Sequence, residues 1–214
     1  MSLDIASLRK EYTKAELTIE SVQREPLTQF LAWFDEALAS DINEPTAMVL
    51  SCATPDGKPS SRVVLLKGVD EEGFVWYTNY LSRKGSELDV NPHASLLFFW
   101  PELERQIRIE GVVTKVSQEQ STEYFHSRPF DSQVGAAASP QSQVVPSREF
   151  LADLFSIMHT AATKAQHVEK PPHWGGYKLV PTAIEFWQGR PSRMHDRIRY
   201  RKHNDQWIIE RLAP

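Results

Sequence analysis

The chain contains a single cysteine, Cys52. That excludes an internal disulfide framework and any zinc site built on a cysteine pair, and it fits a reducing compartment. The seven histidines form no His-x-x-x-His pair, so no metal site is expected from them either. Long apolar runs are missing: Val63–Leu66 and Ser95–Trp100 are strand-sized, too short for a membrane-spanning helix. Met1-Ser2-Leu3-Asp4-Ile5 lacks the basic-then-apolar layout of a signal peptide, so a cytoplasmic location is expected. No Gly-x-Gly-x-x-Gly and no P-loop occur, so a nucleotide-like cofactor would have its phosphate held by side-chain cations. Positive charge is not in excess. The net charge of −4 argues against a general nucleic-acid binder, while leaving room for a local basic site. Internal repeats and low-complexity segments are absent.

What is present is an ordinary globular composition: 214 residues, 41% hydrophobic and 24% charged, enough for one sizeable domain with its own core. Residues 1–25 are polar and mixed in charge. They read as a short helix ending near Tyr12 followed by an irregular arm, with a single domain over 26–214. Pro26 can open a helix in which Leu27, Phe30, Leu31, Phe34 and Leu38 form one apolar face. Strands are expected at Ala47–Thr54 and Ser60–Val69, flanking the hairpin signal Pro55-Asp56-Gly57-Lys58. Further strands are expected at Gly73–Asn79, His93–Trp100 and Arg105–Ser117, then at Trp174–Pro181, His195–Lys202 and Gln206–Leu212. Helices are expected over Ser82–Val90, from the capping box Ser117-x-x-Gln120 to about Ser127, and over Ser147–His167. Residues 129–146 read as loop. Short strands joined by hairpins, with helices around them, point to a closed or partly closed antiparallel barrel.

Cations recur where chemistry needs them. Arg62-Val63-Val64-Leu65-Leu66-Lys67 is an apolar strand bracketed by two of them. Their parity sends them to opposite faces of a regular strand, so one ligand could meet both only across a bulge. Arg83 and Lys84 stand at a helix start, where free N–H groups favour an anion. Tyr124 and Arg128 share a helix face four residues apart, with Ser132 beyond them. Arg193, His195 and Arg197 would project together from an extended strand, two fixed cations beside one titratable ring. Each cluster also has a plainer reading as solvated surface charge, and Gln141 and Ser142 could be loop residues only. Cys52 has no basic neighbour in sequence to activate it.

Taken in order, Arg-Lys-Glu-Tyr (9–12), Pro-Thr-Ala-Met (45–48), Arg-Val-Val-Leu-Leu-Lys (62–67), Tyr-Thr-Asn (77–79) and Ser-Arg-Lys (82–84) open a pattern. It continues through Tyr-Phe-His-Ser-Arg-Pro (124–129), Asp-Ser-Gln-Val-Gly (131–135), Gln-Ser (141–142), Trp-Gly-Gly-Tyr (174–177) and the segment Ile184–Arg197. This set closely resembles the pyridoxamine 5′-phosphate oxidases of vitamin B6 metabolism, from about Leu8 to Pro214. The resemblance implies an antiparallel, mainly β FMN-binding split barrel with flanking helices, used as a homodimer. It implies oxidation of pyridoxamine and pyridoxine 5′-phosphates to pyridoxal 5′-phosphate, with O2 as acceptor and H2O2 released.

Carried over by resemblance, FMN would be held by Arg62, Val63, Val64, Leu65, Leu66, Lys67, Tyr77, Thr78, Arg83, Lys84 and Gln106, with Gln141, Ser142, Trp187 and Arg197. Some of these would come from the partner subunit. The substrate phosphate would meet Lys67, Tyr124, Arg128 and Ser132, with Arg193, Met194 and His195 at the substrate ring. Arg193 and His195 are the expected catalytic pair. Arg9, Lys10, Glu11 and Tyr12 resemble a mobile N-terminal cover. Arg190-Pro191 falls where the family varies. The alternatives are a related split-barrel FMN-dependent oxidoreductase with another substrate, and a non-catalytic carrier of flavin or pyridoxal phosphate.

Overall fold

A computed structural model of the chain describes residues 11–214. The helix expected to end near Tyr12, together with Arg9 and Lys10, falls almost wholly outside these residues. In chain order the elements are α1 (Pro26–Leu38), β1 (Ala47–Ala53), β2 (Pro59–Leu65), β3 (Gly68–Val69), β4 (Phe74–Asn79), α2 (Arg83–Val90), β5 (His93–Trp100) and β6 (Arg105–Lys115). There follow α3 (Gln118–Ser127), α4 (Phe130–Ala138), α5 (Arg148–Ala165), β7 (Trp174–Gln188), a 3-10 turn (Pro191–Arg193), β8 (Asp196–His203) and β9 (Gln206–Arg211). The strands are hydrogen-bonded in the order β2-β1-β5-β6-β7-β4-β3, and β8 pairs with both β7 and β9. The chain divides into two compact units. One comprises residues up to Leu50, Ser95–Gly111 and Pro181–Pro214; the other comprises Ser51–Ala94 and Val112–Val180.

In the first unit, Pro26 supplies the preset φ of a first helical turn, and α1 buries Phe30, Trp33 and Ala37. This face is rotated from the one expected: Leu31 and Leu38 are exposed. Trp33 captures the core position because it meets Phe186 edge-on at 5.2 Å, while Arg105 stacks over its ring at 4.3 Å. Phe30 packs on Phe98, and Phe186 on Tyr200. The β8–β9 hairpin turns through Asn204 and Asp205, both at positive φ (48° and 60°), the pair that a two-residue hairpin requires.

The second unit carries the end of β1, the turn after it with Gly57 at φ 82°, and β2. It also holds a six-rung antiparallel ladder from Phe74↔Leu179 to Asn79↔Trp174. The Ser117 hydroxyl caps α3 by accepting the Gln120 N–H, as the capping box predicts. Gly85 is required where α2 approaches Tyr80: a Cβ there would stand 1.9 Å from the Tyr80 carbonyl oxygen.

Three further sequence expectations are corrected. Residues 130–138 form α4, although their Ser, Gln and Ala content reads as loop; Val134 is fully buried in a cluster with Phe125, Ala162, Val168 and Trp174, and that burial favours the helix. β7 runs on past Pro181 to Gln188. Pro181 lies between the rungs shared with β4, which end at Leu179, and those shared with β8, which begin at Ala183. The strand expected to reach Val69 ends at Leu65, and the Lys67 N–H turns to the Val75 carbonyl instead.

Candidate active site

The second unit holds an open cavity of about 830 Å³. β2 contributes Arg62, Val63, Val64 and Leu65 to its wall, and Lys67 follows where the chain has left the strand. Tyr77, Thr78 and Asn79 come from the end of β4, Lys84 from the first turn of α2, and Tyr124 from the end of α3. Arg128, Pro129, α4 (Ser132, Gly135, Ala136), Ser139, Gln141 and Trp174 complete the wall. The break after Leu65 answers the parity problem, because Arg62 and Lys67 both face this one space. Among the described residues four cations line it and no carboxylate does, so the cavity suits an anion.

Its aromatic wall is a stack: Tyr77 on Tyr124 at 3.8 Å, and Tyr77 on Trp174 at 5.7 Å. Arg128 lies 4.9 Å over the Trp174 ring, and its Nη1 is buried with no hydrogen-bond partner among the described residues. A buried guanidinium N–H left unpaired is costly unless a ligand accepts from it. Lys84 is also buried, and its ammonium donates to the Thr78 and Ser82 hydroxyls at 3.1 and 3.3 Å. Burial, and then the nearby Arg62 charge, push its pKa below the ordinary lysine value. The negative charge of an arriving phosphate would offset both by favouring the charged amine.

Ser60, Arg62, Arg83, Lys84 and Ser142 line a smaller neighbouring pocket. Glu87, absent from the sequence-derived set, organises it. This buried carboxylate accepts from Arg62 at 3.2 Å, from Arg83 at 2.9 Å and from the Ser60 hydroxyl. Its spacing of four from Arg83 was the available signal. Leu66 is buried and lies outside both linings. Cys52 proves to have a cationic neighbour, since Arg62 Nη1 lies 3.3 Å from its sulfur. Burial nevertheless raises the thiol's pKa, so it is not activated.

For Glu87, burial raises the pKa, but the Ser60, Arg83 and Arg62 hydrogen bonds together hold it below the ordinary 4.5. A depressed carboxylate stabilises the fold above its unfolded pKa and ceases to as pH falls through its folded value. Glu87→Gln should therefore cost about 1–3 kcal/mol at pH 7. In thermal melts the gap from the parent should hold down to about pH 4.5 and close in stronger acid. A gap that widens in acid would contradict this arrangement.

The first unit carries a separate corner. Arg193, His195 and Arg197 do not share a strand face, which corrects the extended-strand reading. Ser192 and Arg193 sit at φ 56° and 60° in the turn before β8, and only Arg197 lies in the strand. Arg193 and Met194 are exposed. The His195 ring packs 4.7 Å from Trp187, and Tyr12 sits edge-on to both, at 5.7 Å from Trp187 and 5.8 Å from His195. The Arg190 backbone N–H donates to His195 Nδ1 at 3.1 Å. In the neutral ring the proton then lies on Nε2, making that atom a donor. Burial, then the Arg193 charge, lower the His195 pKa from 6.5, which favours this neutral form. Arg197 is clamped by the buried Glu185 carboxylate at 2.7 and 3.1 Å; Arg108 also donates to Glu185, at 2.7 Å. Gln106 is half-buried on β6.

Residues 34–156 match the family model described as pyridoxamine 5′-phosphate oxidase. Residues 174–214 match that of the pyridoxine 5′-phosphate oxidase C-terminal dimerisation region. The pyridoxine/pyridoxamine 5′-phosphate oxidase of Salinibacter ruber is 53% identical, over 98% of this chain and 99% of its own. That of Leptospira interrogans is 54% identical over 100% of both. Among solved structures, PhzG from Burkholderia lata 383, in complex with tetrahydrophenazine-1-carboxylic acid, is 29% identical with a TM-score of 0.88, over 94% of this chain and 100% of its own. A pyridoxamine 5′-phosphate oxidase-related, FMN-binding protein from Nostoc punctiforme shares the fold, with a TM-score of 0.70 at 18% identity over 89% of this chain and 98% of its own. The expected split-barrel architecture is thus the one the chain adopts, and by sequence over its full length the chain belongs to the pyridoxine/pyridoxamine 5′-phosphate oxidase family.

Proposed function

We propose that the cationic cavity takes FMN and the phosphate of the substrate, and that the chain oxidises pyridoxamine and pyridoxine 5′-phosphates to pyridoxal 5′-phosphate. The observation that carries this reading is Arg128. Its buried Nη1, without a hydrogen-bond partner among the described residues, lies on a cavity wall shared with Lys67, Tyr124 and Ser132, with no acidic residue among them. Those four groups fit a phosphate monoester, and Arg62, Arg83 and Lys84 fit a second phosphate. The volume also lies within the range of small-molecule and cofactor sites.

Bound FMN supplies a hydride acceptor, which molecular oxygen regenerates with release of hydrogen peroxide. The chain's own residues do the positioning. The Tyr77–Tyr124–Trp174 stack provides a flat apolar wall, and Thr78 with Gln141 adds a hydrogen-bonded floor at 3.1 Å. Val63, Val64 and Leu65 belong to the FMN-holding strand and Leu66 follows just beyond its end, with Ser142, Gln106, Trp187 and Arg197 completing the set. Arg193 holds the substrate ring and stabilises charge during transfer, and His195 assists as an Nε2–H donor. The alcohol substrate yields the aldehyde directly, while the amine yields an imine that water hydrolyses.

We further propose a homodimer in which some of these contacts come from the partner, residues 1–25 acting as a cover over the single domain 26–214, and a cytoplasmic location. Steady oxygen uptake on adding pyridoxamine 5′-phosphate, with peroxide and aldehyde formed in equal amounts, is the expected result. A carrier would bind without uptake, and an oxidoreductase for another substrate would leave the oxygen trace flat.

A further inference from the structure

Nothing above uses the Arg190 side chain. It nevertheless joins two parts of the His195 corner. Its backbone N–H holds His195 Nδ1. Its guanidinium reaches the arm, with Nη1 donating to the Ala15 carbonyl at 3.1 Å and Nη2 to Glu16 at 2.7 Å. Nε lies 3.5 Å from Asp196, which also accepts the Leu17 N–H at 3.1 Å. Ahead of these contacts, Glu104 accepts the Thr13 and Lys14 N–H groups at 2.8 and 3.0 Å. The arm is thereby strapped down over residues 13–17, with Tyr12 just before the strap. The Tyr12 ring rests on Gly189, where a Cβ would come within 2.6 Å of it. Any residue but glycine at 189 would push Tyr12 off Trp187 and His195.

We propose that Arg190 is a positioning residue: a latch that seats Tyr12 against His195 and Trp187 and so sets the affinity of the covered site for its substrate. The proposal rests on the oxidase reading for its substrate, but the latch has a readout of its own. Arg190 acts on Tyr12 through the strapped segment, and on the loop through the His195 bond. A planar guanidinium reaches Ala15 and Glu16 together, which a lysine ammonium cannot match.

The test uses the FMN-loaded enzyme and its Arg190→Ala, Arg190→Lys and Glu16→Gln variants. Trypsin cleavage after Lys14 is timed by mass spectrometry, and steady-state kinetics are run with pyridoxamine 5′-phosphate. In Arg190→Ala, cleavage after Lys14 should quicken about tenfold as the local opening equilibrium shifts. KM should rise about three- to tenfold with kcat within about twofold, the signature of lost binding rather than lost chemistry. Arg190→Lys should fall between parent and alanine, and Glu16→Gln should move both readouts the same way by less. Unchanged cleavage with unchanged KM in Arg190→Ala overturns the latch. So does faster cleavage with unchanged KM, which makes Arg190 a strap without influence on the site. Should Arg190→Ala fail to fold, the lysine and Glu16 variants decide by the same two readouts. If the parent oxidises no substrate, the oxidase reading fails, and the cleavage rates still decide whether Arg190 holds the arm.

Discussion

Arg193→Leu should lower turnover of pyridoxamine 5′-phosphate by about 30- to 1000-fold, the equivalent of about 2–4 kcal/mol of transition-state stabilisation, while FMN stays bound. The side chain is exposed and sits in a turn at positive φ, so its removal takes no packing from the core. The cations proposed to hold FMN belong to other elements and are untouched. A second readout follows from His195, whose pKa is lowered by burial and then by the Arg193 charge. Removing that charge lets the histidine pKa rise, because the protonated ring is no longer repelled. Protonation at Nδ1 would break the bond from the Arg190 N–H. The acid limb of the rate profile should therefore move to higher pH in Arg193→Leu. Unchanged turnover would sink the catalytic role, and an unmoved limb would remove His195 from it.

Arg128→Ala should raise KM for pyridoxamine 5′-phosphate by about 10- to 150-fold, the worth of a charge-assisted hydrogen bond of about 1.5–3 kcal/mol. The same change should leave the melting temperature of the ligand-free protein level or higher. The two effects have one cause. With no ligand, Arg128 Nη1 is a buried donor without a partner among the described residues, a burden that alanine relieves at the expense of the stacking over Trp174. With ligand, that same donor is the one the proposed phosphate contact satisfies. A marked fall in the ligand-free melting temperature with KM unchanged would make Arg128 a structural residue.

Much of the site was legible because its residues lie in short contiguous runs: Tyr124 and Arg128 share a helix end, and Tyr77 and Thr78 a strand end. All four line the cavity, as do Arg62, Lys67, Lys84, Ser132 and Gln141. What the sequence hid depends on contacts distant along the chain or on backbone geometry. α4 looked like loop because its composition is polar and small, and only the burial of Val134 beside Phe125 and Ala162 reveals the helix. The convergence of Arg62 and Lys67 needed a break after Leu65 that strand parity does not foresee. The Arg193–His195 geometry needed two successive non-glycine residues at positive φ, which residue type disfavours. Glu87 was overlooked because an acidic residue does not suggest a phosphate site, yet it orients Arg62 and Arg83 there.

The most direct test of the central claim is an anaerobic spectrum. The purified protein, charged with FMN, is given pyridoxamine 5′-phosphate without oxygen and followed in the visible range before air is admitted. The flavin absorbance should bleach on adding substrate and return with oxygen, with one pyridoxal 5′-phosphate formed per flavin reduced. A protein that stays yellow with this substrate present would contradict the assignment, while leaving the split barrel and its cationic cavity in place for a different flavin reaction.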